Sequence, residues 1–188
     1  MQKKLLLLLF CASSVAMLAQ DNEEEEKGIK NIDDRKHELR IDAFEGLAAE
    51  VIDISYEYVL GKYSGVGMSV LIGFEREEFN RYTSLQLTPF YRQYFFNKKE
   101  YGARGFYAEG VFNYARGRDP VDIFLDGILI ATERNNWSRF GVGFALGQKW
   151  ISKNGFIVDV SIGAGRNFGP DDNINSFFRG GVNIGYRF

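Results

Sequence analysis

Cysteine, histidine and proline are almost absent from this chain, and each absence removes a class of chemistry. The single cysteine, Cys11, lies inside an N-terminal apolar run, so the rest of the 188 residues offers no disulfide framework and no thiolate for metal or redox work. The single histidine, His37, precedes the first regular segment, which leaves Ser–His and Asp–His catalysis without a base in the body of the chain. A formal net charge of -2 provides no basic excess for tracking nucleic-acid phosphates. No apolar stretch reaches the roughly 20 residues that a membrane-spanning helix needs. Glycine and aromatic residues are what the chain has instead. Its 21 glycines and 15% aromatics beside 3 prolines suit short-turn all-β structure. In a helix each glycine would cost about 1 kcal/mol.

The longest apolar run covers residues 5–19, preceded by Lys3 and Lys4 and followed by Gln20, Asp21 and Asn22. A basic start, an apolar centre and the small Ala19 near its end make residues 1–20 a secretory signal peptide. Phe10 stands where a lipoprotein cut needs a small residue before Cys11, so lipidation is not expected. Residues 21–36 carry Glu23, Glu24, Glu25 and Glu26 with little apolar content. They read as a flexible acidic lead-in, because nothing there offsets the entropy of folding.

From His37 onward, apolar and polar residues alternate with the period of a strand. Leu39, Ile41 and Ala43 begin the series, and Ile52, Ile54, Tyr56, Tyr58 and Leu60 continue it after a short connection at residues 45–49. Val66, Met68, Val70 and Ile72 form a third apolar face, and Leu85, Leu87, Pro89 and Tyr91 a fourth, with a bulge expected at Pro89. Phe106, Ala108, Gly110, Phe112 and Tyr114 make the fifth. Residues 116–136 read as the longest connection. Within it, Asp126-Gly127 between Ile123, Leu125, Ile128 and Ile130 is a two-residue hairpin signal. Arms of about five residues fall short of the roughly 9–11 that cross a bilayer, so this hairpin is expected in a loop outside the membrane. Phe140 to Leu146, Phe156 to Ala164 and Phe178 to Phe188 supply the last three strands. Eight strands joined alternately by tight turns and longer loops predict an all-β, eight-stranded antiparallel up-and-down transmembrane β-barrel over residues 37–188.

The face chemistry sets the phase of that barrel. Opposite the apolar residues stand many glycines, Gly67, Gly141, Gly143 and Gly163 among them, interspersed with Asp53, Glu57, Arg92, Glu109, Asp159 and Arg179. Glycine is useful where the walls of a narrow lumen approach each other, so the apolar face points outward into lipid. The reverse phase would place Arg92 and Arg179 in lipid at up to about 2–4 kcal/mol each. The six charged residues are expected to form an ion-pair and hydrogen-bond network that fills the lumen. Tyr56, Tyr58, Tyr91, Tyr114, Tyr186 and Trp150 are expected in aromatic girdles at the bilayer boundaries.

No catalytic, metal or cofactor site emerges. Asp171, Asn173 and Asn175 open like a calcium loop, but Ser176 replaces the turn glycine and Val182 the final glutamate. Gly163-Ala164-Gly165 lacks the following helix of a phosphate-binding turn.

The final strand, with Val182, Ile184, Tyr186 and Phe188 on one face, resembles the terminal signal by which barrel-assembly machinery recognises outer-membrane barrels. From His37 to Phe188 the chain resembles small eight-stranded outer-membrane proteins of the OmpA/OmpX type. It is similar, more narrowly, to an uncharacterised domain-of-unknown-function family of such barrels. That narrower likeness rests on Glu38-Leu39, Ile54-Ser55-Tyr56-Glu57, Val66-Gly67-Met68-Ser69 and Leu87-Thr88-Pro89-Phe90-Tyr91-Arg92. The resemblance implies a Gram-negative outer-membrane location with a periplasmic N-terminus, contact with outer-membrane lipid and the assembly machinery, and no enzymatic activity. The expected role is structural or adhesive, toward an outer-membrane or extracellular protein partner, through external loops. A small-solute channel or ligand-binding barrel is the alternative, and a soluble lipocalin-like binding protein the third reading.

Overall fold

The computed structural model describes residues 32–43, 51–73, 82–95, 102–125, 128–169 and 176–188. The strands are β1 (His37–Asp42), β2 (Val51–Gly61), β3 (Ser64–Gly73), β4 (Tyr82–Phe95), β5 (Gly105–Leu125), β6 (Ile128–Ile151), β7 (Phe156–Phe168) and β8 (Ser176–Arg187). Each pairs antiparallel with the next, and β8 returns to β1, so the sheet closes as an eight-stranded up-and-down barrel. At the seam Leu39 faces Tyr186 and Ile41 faces Ile184. The Phe188 amide donates to the His37 carbonyl at 2.8 Å and the His37 amide to the Phe188 carbonyl at 3.3 Å, so the closing pair includes the last residue. Closure leaves no open edge around the wall, and every strand then has a lumen face and an outer face.

The two faces follow the period of the sequence. Ile52, Ile54 and Tyr56 of β2 are exposed, while Asp53, Ser55 and Glu57 between them are buried. Ile162 and Phe178 are 69% and 65% exposed, whereas Glu38, Arg40, Glu57, Lys149 and Asp159 are fully buried. This inverts a soluble protein, whose charged residues are almost never fully buried without partners. Lumen glycines make room for the ring systems that share the interior. A Cβ at Gly67 would lie 2.5 Å from the Phe90 ring, and one at Gly143 would lie 2.8 Å from the Phe177 ring.

Three local expectations are corrected. The segment 116–136 is not a connection, because β5 and β6 stay paired through it from Arg116↔Ser138 to Leu125↔Ile128. The hairpin is therefore the continuation of two barrel strands. Both exceed the expected membrane span because the ladder keeps adding backbone hydrogen bonds beyond the wall. Pro89 introduces no bulge: Leu87↔Tyr114 and Phe90↔Val111 share one register, and the irregularity lies between Thr83 and Leu85. Proline loses one donor, which the strand absorbs without shifting its pairing. Last, the lead-in does not stay apart from the barrel through residue 36. Ile32, in a 3-10 turn over Ile32–Asp34, packs with Ile151 and Ile157. The Lys36 carbonyl accepts a hydrogen bond from the Val59 amide at 2.8 Å. One buried isoleucine and pairing to β2 hold the segment against the end of the barrel where the chain enters and leaves.

At that same end the β6–β7 turn requires its glycine. Gly155 has φ +102, a left-handed conformation that side chains disfavour, and its carbonyl accepts the Arg187 amide at 2.8 Å. The expected signal peptide, residues 21–31 of the lead-in and the turn pair Asp126-Gly127 lie outside the described residues.

Candidate functional site

The chemistry of this barrel is concentrated in its lumen, near the end that carries the termini. Alternation in β1 turns Glu38, Arg40 and Asp42 inward, and the register sets Glu38 beside Glu57 of β2 and Arg187 of β8. Like charges so placed need cations between them, and four strands supply them. Arg40 Nη1 lies 3.0 Å from Glu38 Oε2 and 2.7 Å from Glu57 Oε2. Lys149 Nζ lies 2.9 Å from Glu38 Oε2 and 3.1 Å from Glu57 Oε1. Arg187 Nη2 lies 2.5 Å from Glu38 Oε1, and its Nη1 donates to the Gly102 carbonyl at 2.9 Å.

A second tier continues the pattern toward the middle of the barrel. Arg92 donates from Nε to Glu109 Oε2 at 2.5 Å and from Nη1 to Asp159 Oδ2 at 2.6 Å, with Glu57 Oε2 at 3.3 Å. Its guanidinium carbon sits 4.2 Å from the centre of the Tyr107 ring and 4.8 Å from that of Phe90. The hydroxyls of Tyr94 and Tyr107 donate to Glu57 at 2.6 Å and to Asp159 at 2.7 Å. Arg179 Nε reaches Glu109 Oε1 at 3.0 Å, and its Nη1 lies 3.8 Å from Asp53 Oδ2. Asp53 also accepts from Ser69 Oγ at 2.6 Å.

Charge is balanced within the two tiers. Glu38, Glu57, Glu109 and Asp159 stand against Arg40, Arg92, Lys149 and Arg187, all within 2% of full burial. Multiple hydrogen bonds per ion are what make such burial tolerable, since desolvation alone costs several kcal/mol per charge. Above the tiers, a cleft of about 20 Å³ lined by Asp42, Asp53, Gln86, Arg179 and Asn183 has room for a water or two. Among the described residues, the interior is thus a set of cross-braces between opposite walls, and the cleft above them is far smaller than a ligand of ordinary size needs.

The six lumen residues expected from sequence, Asp53, Glu57, Arg92, Glu109, Asp159 and Arg179, meet in one connected network. Glu38, Arg40, Lys149 and Arg187 belong to it as well and were not among the six. The signal for the first two was present, since Glu38 and Arg40 alternate with Leu39 and Ile41. Lys149 needed the register, because it lies past the glycine-rich part of β6.

Val182, Ile184, Tyr186 and Phe188 lie exposed on the outer face of β8. The Phe188 ring stacks on His37 at 6.0 Å between centroids, and His37 Nδ1 lies 2.7 Å from the Tyr56 hydroxyl. Ile123, Leu125, Ile128 and Ile130 lie on the paired β5–β6 extension. The girdle residues divide unevenly. Tyr56, Tyr58, Tyr91, Tyr186 and Trp150 all lie toward the end with the termini, while Tyr114 sits toward the other end with Phe140, 5.0 Å between ring centroids. Among the described residues, no group of three His, Cys, Asp or Glu side chains is arranged to hold a metal ion.

No family model matches the chain, and no curated protein matches it. Among solved structures, the crystal structure of the N-terminal β-barrel domain of Pseudomonas aeruginosa OprF is similar. The two share 14% identity, with a TM-score of 0.49 over 82% of this chain and 98% of that one.

Proposed function

We propose that this chain is an integral outer-membrane barrel with a structural or adhesive role and no enzymatic activity. The inverted burial supports the reading: apolar side chains cover the outside of the wall while Arg40, Arg187, Lys149, Glu38, Glu57, Glu109 and Asp159 are among the largest fully buried side chains. Such a surface in water would expose an apolar band around the whole wall, far beyond the few hundred Å² that soluble monomers tolerate. In lipid the same band is satisfied, and strands of 11, 10, 14, 13 and 12 residues in β2, β3, β4, β7 and β8 are long enough to cross. The end with the termini and tight turns is assigned to the periplasm, with Val182, Ile184, Tyr186 and Phe188 offered to the assembly machinery.

The contact surface is the ribbon in which β5 and β6 outrun their neighbours. The last pair joining β4 to β5 is Tyr82↔Arg118, and the last joining β6 to β7 is Phe140↔Phe168. Beyond them, among the described residues, β5 and β6 have only each other, so each presents an unpaired backbone edge of the kind that accepts another strand.

The experiment has two arms. The full chain expressed in a Gram-negative host should fractionate with outer membranes and show heat-modifiable gel mobility, and purified barrels should not conduct in planar bilayers. Deleting residues 120–131 should leave the mobility shift in place and abolish attachment of expressing cells to surfaces or to each other. A soluble fraction would sink the membrane reading, steady conductance would favour the channel, and unchanged attachment would remove the ribbon from the role.

A further inference from the structure

Charge on the outside of a lipid-facing wall is costly, and three outward arginines of β5 and β7 stand around the level where this wall gives way to the β5–β6 ribbon. Arg116 and Arg118 alternate outward along β5, with the buried Ala115 and Gly117 turned inward. Arg166 points outward from β7, two residues before Phe168 and 5.9 Å from its ring centre. The register places Arg118 opposite Asn136 and Arg116 opposite Ser138 of β6, Arg166 opposite Val142, and between those levels the row Tyr114↔Phe140 and Phe140↔Phe168. Arg116 and Arg118 therefore stand beyond the aromatic row, on the end away from the termini, and Arg166 stands on its inner side at the level of the outward Val142. Among the described residues, no carboxylate occurs on this outward face between Tyr114 and Arg118 of β5, Asn136 and Phe140 of β6, or Arg166 and Phe168 of β7.

We propose that this patch binds the headgroup phosphates of an anionic lipid in the leaflet on the loop side. The proposal rests on the membrane reading above and adds a ligand to it. Two arginines at i and i+2 of a strand lie only about 7 Å apart along it and repel unless an anion sits between them. The patch is continuous with the lipid-facing surface, so a lipid phosphate reaches it without leaving the bilayer. Arginine is the suited residue, because its planar fork takes two phosphate oxygens at once, whereas lysine acts as a point charge. The rim at the other end carries one arginine on an outward aromatic, Arg35, whose Nη1 donates to the Tyr186 hydroxyl at 3.2 Å and to the Asn154 carbonyl at 3.0 Å. Lys36, Lys62 and Lys153 lie there in connecting segments beyond the wall, so they meet a headgroup region without forming a face.

The full chain, refolded into phosphatidylcholine vesicles and into the same vesicles doped with a bis-phosphorylated glycolipid such as lipid A, provides the test. The readout is the urea midpoint of unfolding. Doping should raise the midpoint of the natural chain. That gain should vanish in Arg116→Gln/Arg118→Gln/Arg166→Gln, survive in Lys36→Gln/Lys62→Gln/Lys153→Gln, and return in part when the three arginines become lysine. Inorganic phosphate added to undoped vesicles should not reproduce it. Heat-modifiable mobility checks that each variant is folded, and Arg118→Gln alone, with a partial loss, serves if the triple variant does not fold. A gain unchanged in the arginine variants, or lost equally in the lysine variant, overturns the lipid site while leaving the membrane barrel standing. Failure of the natural chain to insert into either vesicle overturns both.

Discussion

Replacing Glu57 by glutamine changes one charge in the middle of the barrel and almost nothing else. Glu57 is fully buried and is shared by Arg40 at 2.7 Å, Lys149 at 3.1 Å, Arg92 at 3.3 Å and the Tyr94 hydroxyl at 2.6 Å. Glutamine keeps the shape but leaves three carboxylates facing four cations. Stripping one partner from a buried ion pair costs about 3–5 kcal/mol. Each cation touching Glu57 has a second carboxylate within 3.5 Å, Glu38 for Arg40 and Lys149, Glu109 and Asp159 for Arg92. The loss should therefore sit at the low end, about 3 kcal/mol. With a urea slope of about 2 kcal/mol per molar, the unfolding midpoint falls by about 1.5 M. Lys149→Met alone is destabilising in the same way, since it leaves Glu38 and Glu57 each short of a cation. The double variant restores balance at three against three, so the two losses should overlap by about 2 kcal/mol. The assay is unfolding of vesicle-refolded protein followed by tryptophan fluorescence, which both tryptophans, Trp137 and Trp150, report from β6. Strictly additive losses would show that Glu57 and Lys149 do not share a balanced network and would refute the reasoning.

Two other changes probe the wall. Gly155→Ala forces a side chain into φ +102 with its Cβ 2.6 Å from the Arg187 carbonyl oxygen, so stability should fall by about 1–3 kcal/mol in the same assay; an unchanged midpoint would mean that the turn adapts. Removing Phe188 deletes the ring stacked on His37 and one backbone pair of the β1–β8 seam. Insertion in cells should drop sharply while refolding into vesicles stays nearly normal, and equal insertion with and without Phe188 would count against an assembly role for this residue.

The strand count, the order of strands and the inside-out phase are legible in the residues because each depends on a local repeat. Val51 to Gly61 alternates by itself, and glycine on the inward side of β3, β6 and β7 marks a crowded lumen before any pairing is known. Strand ends are less legible. Residues 116–136 look like a loop since their apolar segments are short, yet a two-stranded ladder can run on wherever both arms stay extended, as β5 and β6 do.

What the residues alone determine about this protein is which side chains share a face, since period two is enforced by the geometry of each extended strand. Which inward charges meet is a different matter. Glu38 and Lys149 are 111 positions apart, and Arg92 and Asp159 are 67. Only the register between neighbours and the closure of β8 onto β1 bring such residues to one level of one lumen. The membership of the charged network, and the placement of Arg116 and Arg118 of β5 on the same side of the barrel as Arg166 of β7, are therefore properties of the closed barrel.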